Sequence, residues 1–177
     1  KNKTKGKTVN TRHTALLAAA LSAAACAALP AAEPATAQQM ADLINQARAL
    51  GRTCGKTYYP AAPPLKWNPL LEKAAAHAQD MADKNYFRHE SPDGRDMAGR
   101  VEQAGYRYRA VGENILAGEP TARAVIDTWL APPGHCKNIM DTAYTEVGMG
   151  LRRQPAFPIR RLLGAELRLV GGEVKNG

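Results

Sequence analysis

Apolar residues recur at three- and four-residue steps across residues 38–50, through Met40, Leu43, Ile44, Ala47 and Leu50, and Gly51 follows them. That spacing predicts an amphipathic helix stopped at its glycine. A second helical pattern begins at Asn68-Pro69 and buries Leu70, Leu71, Ala74, Ala78 and Met81. Asparagine caps free N–H groups there and proline suits the first turn. The run Ala74-Ala75-Ala76 leaves room for another element to approach closely. A short helix is predicted over 96–104, with Met97, Val101 and Ala104 inward and Gly105 at its end. A fourth runs over 119–130, with Ala124, Val125, Thr128 and Trp129 on one face.

Strand patterns are fewer. Residues 112–118 read as a short strand between glycines, and Glu113-Asn114 at its start is not explained by packing. Residues 144–151 alternate apolar with small or polar positions, and 166–170 form a third candidate. Residues 51–67, with two glycines and three prolines, are expected to be an ordered loop ending in Leu65 and Trp67. Ser91-Pro92-Asp93-Gly94 is a turn, with His89 at its lip. Pro132-Pro133-Gly134 stops the fourth helix, and His135 and Cys136 stand directly after that stop.

The first 37 residues change the picture of charge and compartment. A basic start precedes a run of almost pure Ala and Leu over 14–29, and Ala35-Thr36-Ala37 precedes Gln38. These are the three parts of a secretory signal, and the apolar run is shorter than the roughly 20 residues that span a bilayer. An exported chain without an integral span, secreted or periplasmic, is expected. The leader holds five of the 24 basic residues and one of the 16 acidic ones, so the rest carries a net charge of +4. Residues 38–150 are balanced, and the excess lies in 152–177. No basic binding face is implied, which argues against nucleic acid.

Beyond the leader only Cys54 and Cys136 remain. In an exported chain their simplest use is one disulfide, worth roughly 4 kcal/mol in the chain-entropy model. A nucleophilic Cys136 beside His135 is the alternative. His77, on the inner face of the second helix, is expected to be a satisfied core or boundary residue.

Seven fragments, in order, resemble one family: H-A-Q-D-M-A (77–82), Y-F-R-H-E-S-P-D-G (86–94), A-G-Y (104–106), G-E-N-I (112–115), W-L-A-P-P-G-H (129–135), N-I-M (138–140) and Y-T-E-V-G-M-G (144–150). The chain resembles the CAP superfamily of cysteine-rich secretory, antigen 5 and pathogenesis-related proteins, in its bacterial SCP-like branch, over about residues 38–151. The placement of Cys54 and Cys136 is similar to a subgroup with a disulfide there. The resemblance implies an α+β fold, a three-layer α-β-α sandwich with a small, mainly antiparallel sheet.

It also implies a cleft with two histidines and two glutamates, in some members holding a divalent metal. By position His89, Glu113 and His135 match three of the four, with Asn114 beside them. No carboxylate occupies 131–133, where the second glutamate would fall. Two imidazoles, one carboxylate and a water form a set that zinc accepts, so His89, Glu113 and His135 are candidate metal ligands. The same three could instead form a network fixing the loops. The implied function is a non-catalytic one: binding of a sterol, another lipid or a cell-envelope component. The alternative is a metal-dependent hydrolase of peptide or cell-wall material, weakened by the missing general base. Relatives close the sheet with an aromatic strand after the V-G-x-G strand. Residues 152–177 lack one and turn Arg- and Gly-rich, as divergence or a shifted reading frame would produce.

Overall fold

The computed structural model describes residues 36–119, 121–153 and 162–171; from Arg153 onward Leu169 is the one residue described beyond its backbone. The first helix, α1 (Ala37–Arg48), starts on a capping box. Thr36 Oγ accepts from the Gln39 N–H at 3.1 Å, and Gln39 Oε1 accepts from the Thr36 N–H at 2.9 Å. Two of the orphan donors of the helix start are thereby satisfied. Met40, Ile44 and Ala47 are buried, as their spacing requires. Leu50, expected inward, lies beyond the helix end and is exposed.

Residues 51–67 are not the plain loop their prolines suggested. β1 (Arg52–Cys54) and β2 (Thr57–Tyr59) form an antiparallel hairpin. Gly55 opens its two-residue turn at φ +63°, a conformation that costs glycine little. Each strand has three residues, too few for alternation to be legible. Cys54 in β1 is bonded to Cys136, with Cα atoms 5.6 Å apart, so both thiols are consumed and no Cys136 nucleophile remains. β3 (Lys66–Trp67) then joins the main sheet.

The predicted second helix is two. α2 (Pro69–Ala74) is capped by Asn68, whose Oδ1 accepts from the Leu70 N–H at 2.9 Å. α3 (His77–Asp83) follows after a break at Ala75-Ala76. α4 (Met97–Gln103) is capped by Asp96, and α5 (Ala122–Leu130) by Thr121. Between them runs β4 (Ala110–Leu116). The Pro-Pro-Gly segment both ends α5 and starts a helix that the sequence reading missed. Pro132 is the N-cap and Pro133 the first residue of α6 (Pro133–Met140). Proline fits there because the first turn needs no N–H donor from it. His135 therefore sits in the first turn of a helix rather than on a loop.

β5 (Glu146–Arg153) and β6 (Leu162–Gly171) complete a four-stranded sheet in the order β3-β5-β6-β4. β3 and β5 are parallel; the other pairs are antiparallel. The Arg- and Gly-rich segment thus supplies a strand, and it lies between β5 and β4.

The two faces of β5 explain the layering. Val147 and Met149 point into one core, shared with Met40, Ile44, Val125, Ile126, Trp129, Ile139 and Met140 of α1, α5 and α6. Gly148 and Gly150 face the other way, against α2. A Cβ at Gly150 would fall 1.8 Å from the Ala75 carbonyl oxygen, and one at Gly148 would fall 2.2 Å from the Glu72 nitrogen. The close approach expected of the alanine run is therefore met by glycines on the strand, and α2 lies backbone-on-backbone over the sheet. Leu71, Ala74, Val101, Ala104 and Tyr106 fill this second, smaller core. The result is an α-β-α sandwich: a strand sends alternate side chains to two faces, and here a helical layer covers each.

Two buried side chains stitch the layers. The Trp129 Nε1–H donates to the Ile115 carbonyl at 3.3 Å. Arg48, 1% exposed, donates to the carbonyls of Pro63, Ile139, Asp141 and Tyr144 at 2.7–3.2 Å. Desolvation lowers its pKa from the usual arginine value, with Asp141 opposing. Among the described residues no helix is long and apolar enough to cross a membrane. The predicted leader, apart from Thr36 and Ala37, lies outside the described residues.

Candidate functional site

β4 is an edge strand, and Glu113 projects from it toward α4. The carboxylate is fully enclosed. Its Oε2 accepts from Arg100 Nη2 at 2.9 Å, and its Oε1 lies 2.6 Å from His89 Nδ1. A carboxylate held by a guanidinium is an acceptor only, so Nδ1 of His89 carries the proton of that contact. This leaves Nε2 of an imidazole that is 58% exposed as the atom offered to a ligand.

Arg100 organises the surrounding loop. Its Nη2 also donates to the His89 carbonyl at 2.7 Å, while Nη1 donates to Ser91 Oγ at 3.0 Å and to the Arg95 carbonyl at 2.9 Å. The Ser-Pro-Asp-Gly turn closes as expected, with the Gly94 N–H donating to the Ser91 carbonyl at 2.9 Å. Its position over β4 is set by Arg100. The signal for this residue was available. Met97, Arg100, Val101 and Ala104 share the three-four spacing of the inner face of α4, and a charged group on a buried face needs a buried partner.

Asn114 comes next to Glu113 and therefore points to the opposite side of β4. There its Nδ2 donates to the His135 carbonyl at 3.1 Å, and its Oδ1 accepts from Asn138 Nδ2 at 2.9 Å. Asn138 also donates to the Glu113 carbonyl at 3.3 Å. Asn114, completely buried, thus docks the first turns of α6 onto β4. Asn138 is the second residue the sequence reading missed.

His89 and Glu113 line one cleft of about 350 Å³, together with Asp96, Met97, Val111 and Tyr144. Val111 and Met97 make one wall apolar, and Tyr144 closes the far side against Gly112, where a Cβ would meet the phenol oxygen at 2.6 Å. His135 and Asn114 do not line this cleft. The His135 imidazole is half-buried; desolvation, and secondarily the charge of His89, lower its pKa below the ordinary histidine value.

The expected metal set does not fit this arrangement. Both oxygens of Glu113 are already engaged, one by a cationic guanidinium, and His89 turns an N–H toward the carboxylate. Among the described residues, no group of three or more His, Cys, Asp and Glu side chains could hold a metal ion. Glu113 and Asn114 alternate across the strand, and Asn114 is the one that bonds the His135 backbone carbonyl.

His77 is the buried residue expected of it. Its Nε2–H donates to the Arg88 carbonyl at 2.9 Å. Its Nδ1 lies 3.1 Å from the Tyr86 hydroxyl and 3.3 Å from Ser91 Oγ. Tyr86 donates its proton to Asp80 at 2.5 Å. Burial, then the bond to Asp80, push the Tyr86 phenol up to about 12, so it stays a donor.

Residues 41–157 match the family model described as CAP, the cysteine-rich secretory protein family. The chain belongs to the CAP family. Among solved structures, an extracellular protein containing an SCP domain from Bacillus anthracis is similar over 77% of this chain and 40% of that one, at 26% identity and a TM-score of 0.60. A cysteine-rich secretory protein from Staphylococcus aureus shares the fold over 76% of this chain and 38% of that one, with 16% identity and a TM-score of 0.57. Two proteins of Bacillus subtilis are similar in sequence. YkwD, an uncharacterized protein, is 35% identical over 102 residues, 57% of this chain and 40% of its own length. YlbC, an uncharacterized membrane protein, is 33% identical over 91 residues, 51% of this chain and 26% of its own length. The chain thus spans less than half of the curated relatives it matches. The SCP-like branch, and the α-β-α sandwich expected with it, agree with these likenesses.

Proposed function

We propose that this CAP domain is exported and acts by binding, through the cleft between His89, Glu113 and the Met97–Val111 wall. One observation carries the reading: Glu113 is enclosed and neutralised by Arg100, with both oxygens engaged by donors. A carboxylate used in this way is a bracket. It orients His89 without being aimed at a substrate. What remains exposed is an imidazole edge beside an apolar wall, and Nε2 can accept a hydroxyl proton or, once protonated, donate. That pairing suits an amphipathic molecule with one polar head, such as a sterol or a lipid of the cell envelope. The alternative, a metal-dependent hydrolysis, would need Glu113 as a ligand, and the engagement of both its oxygens by Arg100 and His89 speaks against that use.

The test is co-sedimentation of the disulfide-intact domain with phospholipid vesicles, with and without a sterol. Met97→Asp places a charge on the apolar wall and is expected to abolish retention while leaving the circular dichroism spectrum unchanged. Retention equal to that of the unsubstituted domain would remove the cleft from the binding site. Stoichiometric zinc in the purified domain, lost in both His89→Ala and His135→Ala, would overturn the reading in favour of the metal site.

A further inference from the structure

The hairpin β1–β2 turns one face to the domain and the other to solvent. Cross-strand pairing puts Arg52, Cys54, Thr57 and Tyr59 on one side and Thr53 and Tyr58 on the other. The first side is the inner one: Cys54 is buried in its disulfide, and Tyr59 packs against the larger core. On the outer side Tyr58 is 66% exposed. Its ring lies across Gly51, where a Cβ would fall 2.0 Å from the phenol oxygen. Leu50, 67% exposed, is the preceding residue. These two are the most exposed of the large apolar side chains among the described residues.

The charge around them is segregated. Lys56, at the hairpin tip, is the one charged residue among the exposed positions of 49–64. Between Asp42 and Glu72 the chain has four cations, Arg48, Arg52, Lys56 and Lys66, and no acid. Arg48 is buried and opposed by Asp141. Neither Arg52 nor Lys56 makes an ion pair among the described residues. The balance of charge over 38–150 therefore conceals a surface that is apolar at its centre and cationic at its margin. The surface is also held in shape. The disulfide ties β1 to α6, prolines at 60, 63 and 64 restrict the chain that leaves β2, and the Ala62 N–H donates to the Arg48 carbonyl at 2.8 Å. A surface already ordered loses little freedom on binding.

We propose that this hairpin face docks the domain on an anionic phospholipid bilayer. Adjacent exposed apolar side chains mark a contact surface. A tyrosine, with its apolar ring and polar tip, beside a leucine suits the boundary between headgroups and acyl chains, and the marginal cations suit anionic headgroups. A second copy of the chain is a poorer occupant, because a two-fold contact sets the same patch against itself and brings the Lys56 and Arg52 charges together. The inference rests on the export proposed above and not on the cleft, which the hairpin does not line. Docking through two side chains and a few charges is weak and reversible, so it is read in solution rather than by retention in a pellet.

The experiment records amide NMR spectra of the disulfide-intact domain with bicelles of phosphatidylcholine, alone or mixed with phosphatidylglycerol, that carry a paramagnetic lipid. Selective broadening over 50–60 is expected in the anionic bicelles. Lys56→Glu should weaken the association about fivefold or more, read from the lipid concentration at half-maximal broadening. Leu50→Ser with Tyr58→Ser, at exposed positions, should abolish the broadening while the rest of the spectrum stays in place. Met97→Asp, which disables the cleft, should leave it unchanged, so failure of the cleft reading and failure of this one are told apart. Broadening spread over other surfaces, equal broadening in neutral bicelles, or none lost in the Leu50→Ser, Tyr58→Ser variant would each overturn the proposal. So would shifts over 50–60 that follow protein concentration without lipid, which would assign the face to a second copy.

Discussion

Replacing Arg100 by methionine tests the bracket that organises the whole site. The substitution keeps the inner-face volume of α4 and removes four donated contacts at once, to Glu113, the His89 carbonyl, Ser91 and the Arg95 carbonyl. The Glu113 carboxylate would stay enclosed without its cation. Breaking one side of a buried pair costs about 3–5 kcal/mol, because the partner charge is left uncompensated. Against a total stability of about 5–15 kcal/mol for a domain, that is a large fraction. Urea unfolding of the disulfide-intact domain, followed by tryptophan fluorescence, measures it; Trp129 is buried beside β4 and reports on that side. Glu113→Gln alone leaves the guanidinium unpaired and is expected to destabilise as well. The double variant should therefore lose less than the sum of the singles, by about 0.5–3 kcal/mol. An Arg100→Met loss below about 1 kcal/mol, additive with Glu113→Gln, would refute the idea that this pair is the scaffold of the cleft.

Four further outcomes follow from the same structure. Gly150→Ala drives a Cβ into the Ala75 carbonyl, where neither backbone can yield; the cost should reach or exceed the roughly 1–3 kcal/mol of ordinary overpacking, read as a lowered urea midpoint or loss of soluble protein. His135 should titrate below the ordinary histidine value of 6.5 by proton NMR, and His89→Gln should move it back upward in part, since the His89 charge is the lesser cause. The sign for stability follows: at pH between the depressed folded value and 6.5 the unfolded chain binds the proton and the folded chain does not, so His135 makes stability fall as pH falls through that window. Exchanging Cys54 and Cys136 together for alanine opens an 82-residue separation and should cost roughly 4 kcal/mol at equilibrium. Thr36→Ala removes half of the α1 capping box and should cost about 1 kcal/mol, and a chain cut after Ala37 should lose as much; stability equal to that of the uncut, unsubstituted chain in either case would dismiss the cap.

The periodic stretches were legible because their information is local. Met40, Ile44 and Ala47 announce α1, and the alternation of Val147, Gly148, Met149 and Gly150 announces β5. Asn68, Asp96 and Thr121 mark helix starts by the chemistry of their side chains. The ordered fragments also carried the family, and with it the sandwich and the pairing of Cys54 with Cys136. Places where two local signals compete were not legible. Proline at 132 and 133 reads as a stop for α5, yet the same φ restriction starts α6. The glycines and prolines of 51–67 hide a hairpin of three-residue strands. The break between α2 and α3 lies in a run of three alanines, the best of helix formers, where the helix backbone rests on Gly150.

What the sequence by itself determined is therefore the longer periodic elements, the residues at several of their starts, and His89 and Glu113 among the residues that line the cleft. What only the tertiary structure decided is how those residues face one another. Glu113 and Asn114 are adjacent in sequence, and a strand sends neighbours to opposite faces; one meets Arg100 and His89, the other the first turns of α6. That His89 meets Glu113 depends on that alternation and on a buried arginine thirteen residues before the glutamate, and distance in space is the one property that residue order does not carry.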